Sequence, residues 1–275
     1  MADAETTIYF VGTAGAGKST LVAAYEKWCK QHAITTTLVN MDPGAEQLPY
    51  TPDVDIRAWV RMDEIMKEHG LGPNGAQVAA ADMIALNLDE VKEELGHFRS
   101  DLVLIDTPGQ IELFVFRQSG KHIVESLGSA GTVIAYVMDP FLARTSSGFA
   151  SQMMLAATTL FRFQTPMVFL LSKADRIDEA SLETIKAWAQ DPMALEHDIL
   201  AESPTMNREF ATEVTRLLDS LALHHRIVPV SGIDGRGMDE LYSLVQGAVG
   251  QGEDATPEFD TVQTQDEENQ EGELN

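Results

Sequence analysis

Six short runs of apolar and β-branched residues punctuate the chain, at Thr7–Val11, Thr36–Asn40, Leu102–Asp106, Val133–Met138, Met167–Leu171 and Ile227–Val230. Continuous apolar runs of this length, without polar alternation, predict strands covered on both faces. Between them, apolar positions recur at helical spacing in Thr20–Gln31, Ser151–Phe163, Ser181–Ala189 and Glu209–Ala222. This alternation predicts an α/β fold, a doubly wound and mostly parallel sheet flanked by helices. The stretch from Asp42 to Ser100 exceeds a minimal crossover, so residues 42–100 are expected to hold extra helices or a projecting insertion. Met153 and Met154, and Phe161 with Phe163, read as core or helix-packing residues. From about Gly250 onward apolar residues become scarce, which predicts one domain over 1–249 and a disordered tail over 250–275.

The first strand runs into Gly12-Thr13-Ala14-Gly15-Ala16-Gly17-Lys18-Ser19-Thr20, which fits the pattern GxxxxGK[ST] between a strand and a helix. Glycines let successive N–H groups turn toward phosphate oxygens, and the following helix adds its positive N-terminal end. Lys18 would reach the β and γ phosphates, and the Ser19 hydroxyl would bind Mg²⁺. The alternative is a glycine-rich turn without a ligand. The chain is therefore read as a P-loop nucleoside triphosphatase, and ligands in such sheets sit beyond the carboxyl ends of the strands.

Three of those ends carry further chemistry. Asp106-Thr107-Pro108-Gly109-Gln110 follows the third run, where Asp106 can hold Mg²⁺ through water and the Gly109 N–H can face the γ phosphate. Gln110, Glu112 or Asp42, the last in Asn40-Met41-Asp42-Pro43-Gly44, could each position the attacking water; Asp42 could equally serve turn formation alone. In Leu171-Ser172-Lys173-Ala174-Asp175, the Asp175 carboxylate can accept both the N1–H and the N2 amino hydrogens of guanine, while the Lys173 stem covers the base. Ser172 replaces the asparagine usual in this motif, which leaves the bracing of the loop to be established. Ser231 and Gly232, after the last run, could aim backbone N–H groups at the guanine carbonyl.

Composition narrows the partners. Net charge is −24, and nine acidic and no basic side chains stand in 251–275, so the acidity is both spread and concentrated in the tail. This argues against nucleic-acid binding through a basic face and suits a salt-rich cytoplasm. The single cysteine, Cys29, rules out an internal disulfide framework and reads as a buried thiol. No apolar run approaches bilayer length and the first residues lack a basic, apolar leader, so a cytoplasmic protein without membrane contact is expected. The histidines show no metal-ligand spacing.

Inside the 42–100 stretch stands Gly72-Pro73-Asn74. With Asn40-Met41-Asp42-Pro43-Gly44 and Tyr50-Thr51-Pro52-Asp53-Val54-Asp55-Ile56-Arg57, it makes the chain resemble the GPN-loop GTPases over about residues 7 to 248. The resemblance, closest in character to an archaeal and haloarchaeal member, implies a Mg²⁺-dependent homodimer that hydrolyses GTP to GDP and phosphate. It also implies that Asn74 of one subunit enters the nucleotide site of the other. Eukaryotic relatives assist RNA polymerase assembly, so an unidentified protein client is implied. Two competing readings share these motifs: a nucleotide-gated scaffold with little turnover, and a related dimeric ATPase. The latter usually has an extra lysine where Thr13 stands.

Overall fold

The computed structural model describes residues 6–129, 131–202, 208–220 and 227–252. Its seven strands are β1 (Thr6–Gly12), β2 (Thr36–Asn40), β3 (Val54–Asp55), β4 (Leu102–Asp106), β5 (Gly131–Met138), β6 (Met167–Leu171) and β7 (Ile227–Pro229). They form one sheet in the order β3-β2-β4-β1-β5-β6-β7, with every pair parallel. The helices are α1 (Lys18–Gln31), α2 (Met62–His69), α3 (Pro73–Leu86), α4 (Leu88–Leu95), α5 (Ile111–Phe114), α6 (Gln118–Leu127), α7 (Ser146–Phe163), α8 (Glu179–Gln190), α9 (Pro192–Glu202), α10 (Arg208–Ser220) and α11 (Met238–Gly252).

Alternate residues of each strand feed two separate cores. Ile8 and Phe10 of β1 face Leu21, Val22 and Tyr25 of α1 and Met238, Leu241 and Val245 of α11. Tyr9 and Val11 face the opposite layer, with Ala80 and Ile84 of α3, Phe114 of α5 and Phe149 of α7. Burial of both faces explains why the strands read as unbroken apolar runs. Cys29 lies buried in the first of these layers, as the sequence suggested.

The 42–100 stretch holds the expected extra helices, packed into the domain rather than projecting from it. It supplies edge strand β3 and three helices whose Val54, Ile65, Ala76, Ile84, Val91 and Leu95 are part of the second core. Two aspartates seat β3: Asp53 accepts from the Leu38 N–H at 2.8 Å, and Asp55 accepts from Asn40 Nδ2 at 2.9 Å. The paired phenylalanines and methionines divide rather than all packing inward: Met153 and Phe163 are buried, whereas Met154 and Phe161 are exposed on the outer side of α7. Helix α11 continues through Gly252, past the expected start of the tail, because Val245 and its neighbours still pack on the sheet. Residues 253–275, Ala222 and the pair His224-His225 lie outside the described residues.

Register brings the chemistry to one edge. Asp106 pairs with both Phe10 and Asn40, Gly12 with Val137, and Met138 with Leu171, so the polar strand ends converge at the carboxyl side of the sheet. The chain crosses from β4 over β1 to β5 there, the place where open α/β sheets leave a crevice.

Candidate nucleotide site

The loop from Gly12 to Gly17 leads directly from β1 into α1. Gly17 caps the helix at φ +96, a left-handed conformation that a side chain would strain. At Gly12 a Cβ would stand 2.3 Å from the Val137 carbonyl oxygen, so only glycine lets β1 and β5 approach where the loop begins. Helix α1 then leaves its first-turn N–H groups, those of Lys18, Ser19 and Thr20, without intrahelical acceptors. Ala14 and Gly15 are exposed above them, while Ala16 is buried. The loop is thus open on the side where an anion would sit.

Lys18 is buried, and its ammonium donates to three carbonyls: Gly12 at 3.0 Å, Thr13 at 3.2 Å and Gly109 at 3.0 Å. Burial pulls its pKa below the ordinary lysine value, against the opposing pull of Asp106 and Asp42. Gly109 is held from its other side as well, because its N–H donates to Asp42 Oδ2 at 2.8 Å. The sequence suggested that this N–H faces a γ phosphate; here the Asp42 carboxylate takes it instead. The other oxygen of Asp42 accepts from the Gly44 N–H at 2.9 Å, so Asp42 both forms its own turn and anchors the turn after β4.

Asp106 is buried at the base of this arrangement. Burial pushes its carboxyl up to about 6, although the neighbouring Ser19 and Tyr50 hydroxyls and the charge of Lys18 favour the ionised form. The Tyr50 hydroxyl donates to Oδ2 at 2.9 Å, whereas Oδ1 is buried without a hydrogen-bond partner. Among the described residues no group of three or more His, Cys, Asp or Glu side chains could hold a metal unaided. Ser19 and Asp106 nevertheless supply hard oxygen donors, the set suited to Mg²⁺ that keeps waters and shares phosphate ligands.

A cavity of about 220 Å³ opens beside the loop, lined by residues that include Ala14, Asp42, Gly44, Gln77, Gly109 and Gln110. Gln110 is exposed and its Nε2 donates to Gln77 Oε1 at 3.0 Å. Glu112 is exposed on the first turn of α5 and is not part of this lining. Of the three candidates for placing a water, Asp42 and Gln110 are brought together and Glu112 is not.

On the other side of the loop, Ser172 is buried and its Oγ donates to the Ala16 carbonyl at 2.6 Å, with the Met138 carbonyl 2.9 Å away. Serine therefore provides the brace that the usual asparagine would. Lys173 adopts a left-handed backbone at φ 51 and its ammonium pairs with Asp139 at 2.8 Å. Its Cε lies 3.8 Å from the Cβ position at Gly17, so the stem crosses the phosphate loop. Asp175 Oδ1 accepts from Ser231 Oγ at 2.8 Å, and that hydroxyl in turn accepts from the Ile233 and Asp234 N–H groups. The backbone of Ser231 does not point at a base as anticipated: its N–H donates to the Arg236 carbonyl, closing the turn. Gly232 packs tightly on Thr20, where a Cβ would stand 2.8 Å from Thr20 Cγ2. Ser231 contributes through its side chain, and Gly232 and Thr20 through contact between the turn and α1.

The profile of a family described as "Conserved hypothetical ATP binding protein" matches residues 10–251. GPN-loop GTPase 1 of Schizosaccharomyces pombe is 32% identical over 254 residues, covering 88% of this chain and 68% of that protein. The chain belongs to the GPN-loop GTPase family. GPN-loop GTPase 1 of Dictyostelium discoideum is 32% identical over 241 residues, 86% of this chain but 60% of that longer protein. The crystal structure of PAB0955, described as a GTPase in apo form from Pyrococcus abyssi, superposes with a TM-score of 0.78 at 28% identity, covering 88% of this chain and 97% of that one.

The tripeptide that names the family opens α3. Gly72 is the N-cap and Pro73 the first helical residue, where the missing N–H costs no hydrogen bond. Gly72, Pro73 and Asn74 are all exposed, so Asn74 is presented outward and not into this subunit's own cavity. Sequence reading overlooked Tyr50 and Gln77 as site residues. Tyr50 stood in a quoted family segment, but its reach to Asp106 depends on how residues 42–53 fold back. Gln77 carried no signal beyond its place three residues after Asn74.

Proposed function

We propose that this chain is a Mg²⁺-dependent GTPase that hydrolyses GTP to GDP and phosphate as a homodimer, and that the cycle drives a conformational switch. The observation that carries the reading is the convergence of three devices on one crevice: the loop capped by Gly17, the buried Asp106 with an unpartnered oxygen, and an Asp175 carboxylate aligned by Ser231. The family description speaks of ATP and the relatives' names of GTP. Asp175 favours guanine, because its two oxygens match two adjacent donors that adenine does not present together.

The phosphates rest on the loop N–H groups and the N-terminus of α1, and the first of their effects is on Lys18. Its three donors are all taken in the ligand-free arrangement, so reaching a phosphate means releasing at least one carbonyl. Gly109 is the acceptor furthest along the chain from the loop, and its release links nucleotide entry to movement of the turn over 106–110. Ser19 and, through water, Asp106 would hold Mg²⁺, which neutralises charge on the β and γ phosphates. Gln110 orients a water in line with the γ phosphorus; the new P–O bond forms as the bond to the β-phosphate oxygen breaks, and the proton shed by the water leaves on the released phosphate. Asp42 keeps the Gly109 turn in place beside it.

Support for a dimer comes from the outward presentation of Asn74 and from apolar side chains exposed on α3 and on the segments that adjoin it. Val78 and Leu86 of α3, Phe116 and Phe161 are exposed. Arg117 joins the same surface through Asp82, and Arg162 through the carbonyls of 115–117. In the dimer Asn74 would donate its amide to a phosphate oxygen of the partner's nucleotide, stabilising charge without adding any. A protein client such as RNA polymerase or another protein complex, a cytoplasmic location and an acidic tail beyond Gly252 complete the reading. Among the described residues no helix is long and apolar enough to cross a membrane. Calorimetric titration with GTP and ATP, with and without Mg²⁺, tests it. Tight GTP binding that needs Lys18 is expected, and equal affinity for ATP, or unchanged GTP affinity in Lys18→Ala, would refute it.

A further inference from the structure

Gln77 enters the cavity beside the phosphate loop from α3. Its Nε2 lies 3.6 Å from the Cβ position at Gly44, and its Oε1 accepts from Gln110 Nε2 at 3.0 Å. A glutamine amide has one end that donates and one that accepts, and a half-turn about its last bond exchanges them. A residue that orients an attacking water must offer its acceptor to a water hydrogen. Left alone on the surface, Gln110 would populate both amide orientations, and only one of them is useful.

We infer that Gln77 is a positioning residue for the hydrolytic water, holding the Gln110 amide so that its oxygen is the end left for that water. While Gln77 presents its oxygen, as it does here, only the donor end of Gln110 can bind it, and Gln77→Glu, which has no donor end, makes that presentation obligatory. The constraint is therefore chemical as well as steric: any residue with a suitably placed oxygen keeps it, and an apolar residue of the same size loses it. Helix α3 gives the constraint its rigidity, since Ala76 and Ala80, which flank Gln77 in the same helical turns, are fully buried. The same first turn bears Asn74 outward, so α3 serves its own subunit's site with one residue and offers another to a partner. The inference rests on the GTPase reading above and on Gln110 as the water-orienting group.

The test compares wild type, Gln77→Leu, Gln77→Glu, Gln110→Leu and the double variant Gln77→Leu/Gln110→Leu by steady-state GTP hydrolysis. Affinity for a non-hydrolysable GTP analogue and thermal melting are followed alongside. Gln77→Leu is expected to lower kcat roughly three- to tenfold, the effect of one hydrogen bond lost from the transition state, with analogue affinity and melting unchanged. Gln77→Glu keeps an acceptor and restores kcat to within about twofold. In the Gln110→Leu background Gln77→Leu adds no further loss. Wild-type kcat in Gln77→Leu, failure of Gln77→Glu to restore it, or an equal loss in the Gln110→Leu background would overturn the inference while leaving the GTPase reading intact. Absence of GTP hydrolysis by the wild type, or full turnover by Gln110→Leu, would instead remove the reading beneath it.

Discussion

Ser172 Oγ donates to the carbonyl of Ala16 at 2.6 Å, tying the turn over Ser172–Asp175 to the phosphate loop across more than half the chain. Both residues are buried, so the contact is insulated from water. Removing the hydroxyl leaves the carbonyls of Ala16 and Met138 with one donor fewer. Ser172→Ala is expected to cost about 1–2 kcal/mol of stability and to weaken GTP binding by roughly three- to tenfold. Thermal or denaturant unfolding and calorimetry check this; unchanged values in both would mean that the two loops are braced elsewhere.

A second expectation concerns base choice. Asp175→Asn replaces one acceptor oxygen by a donor, which opposes the guanine 2-amino group and suits the carbonyl that xanthine bears there. GTP affinity should fall about 10- to 100-fold while XTP affinity rises. Ser231→Ala, which removes only the hydroxyl aligning Asp175, should cost less than Asp175→Asn and leave the preference for guanine in place. Competition titrations with GTP, XTP and ATP distinguish these outcomes, and an Asp175→Asn variant that keeps wild-type GTP affinity would place the base elsewhere.

Asp106 gives a pH dependence of unusual sign. Burial raises its carboxyl from the ordinary 3.8 to about 6, so the folded, nucleotide-free protein holds the proton more tightly than the unfolded chain. Ionisation then works against the fold. The penalty is absent well below pH 4, grows as pH rises from about 4 to 6, and reaches its full value, at most about 3 kcal/mol, above that. Asp106→Asn cannot ionise yet can still accept from Tyr50. In the absence of nucleotide it should be more stable than wild type near about pH 8, with the gap shrinking toward about pH 4.5. Paired denaturant titrations across this range measure it, and a gap independent of pH would contradict the burial argument. The same variant should lose Mg²⁺-dependent turnover, because with its oxygen held by Tyr50 the end left for the metal's water is an uncharged amide NH2, which cannot accept from that water.

Much of this architecture was legible in the residues themselves, and the reason is local. Strands buried on both faces must be apolar throughout, which marked β1, β2, β4, β5 and β6 nearly to the residue. The phosphate loop, the turn after Asp106 and the Ser172–Asp175 turn are likewise written in consecutive positions. Strand β3 was not legible, because two residues, Val54 and Asp55, are too few to carry an apolar pattern, and the aspartate side chains that help seat them on β2, those of Asp53 and Asp55, carry none. The packing of 42–100 was hidden for a related reason: α3 buries alanines, whose small side chains make a weak stripe. Contacts such as Tyr50 with Asp106 and Gln77 with Gln110 span 56 and 33 positions and depend on that packing. The turn that the Ser231 N–H closes with the Arg236 carbonyl is likewise a contact that spacing alone does not reveal.

In the function proposed above, sites on this sheet are completed by a second copy of the chain, and Asn74 is the residue through which that completion is measured. GTP and ATP hydrolysis per subunit should be measured against protein concentration, with Mg²⁺ and molar KCl, for wild type and Asn74→Ala. GTP should be hydrolysed in preference to ATP, the wild-type rate per subunit should rise with concentration to a plateau, and Asn74→Ala should lower the plateau far more than it lowers GTP affinity. Equal plateau turnover in Asn74→Ala, or tight GTP binding with no hydrolysis at any concentration, would contradict it.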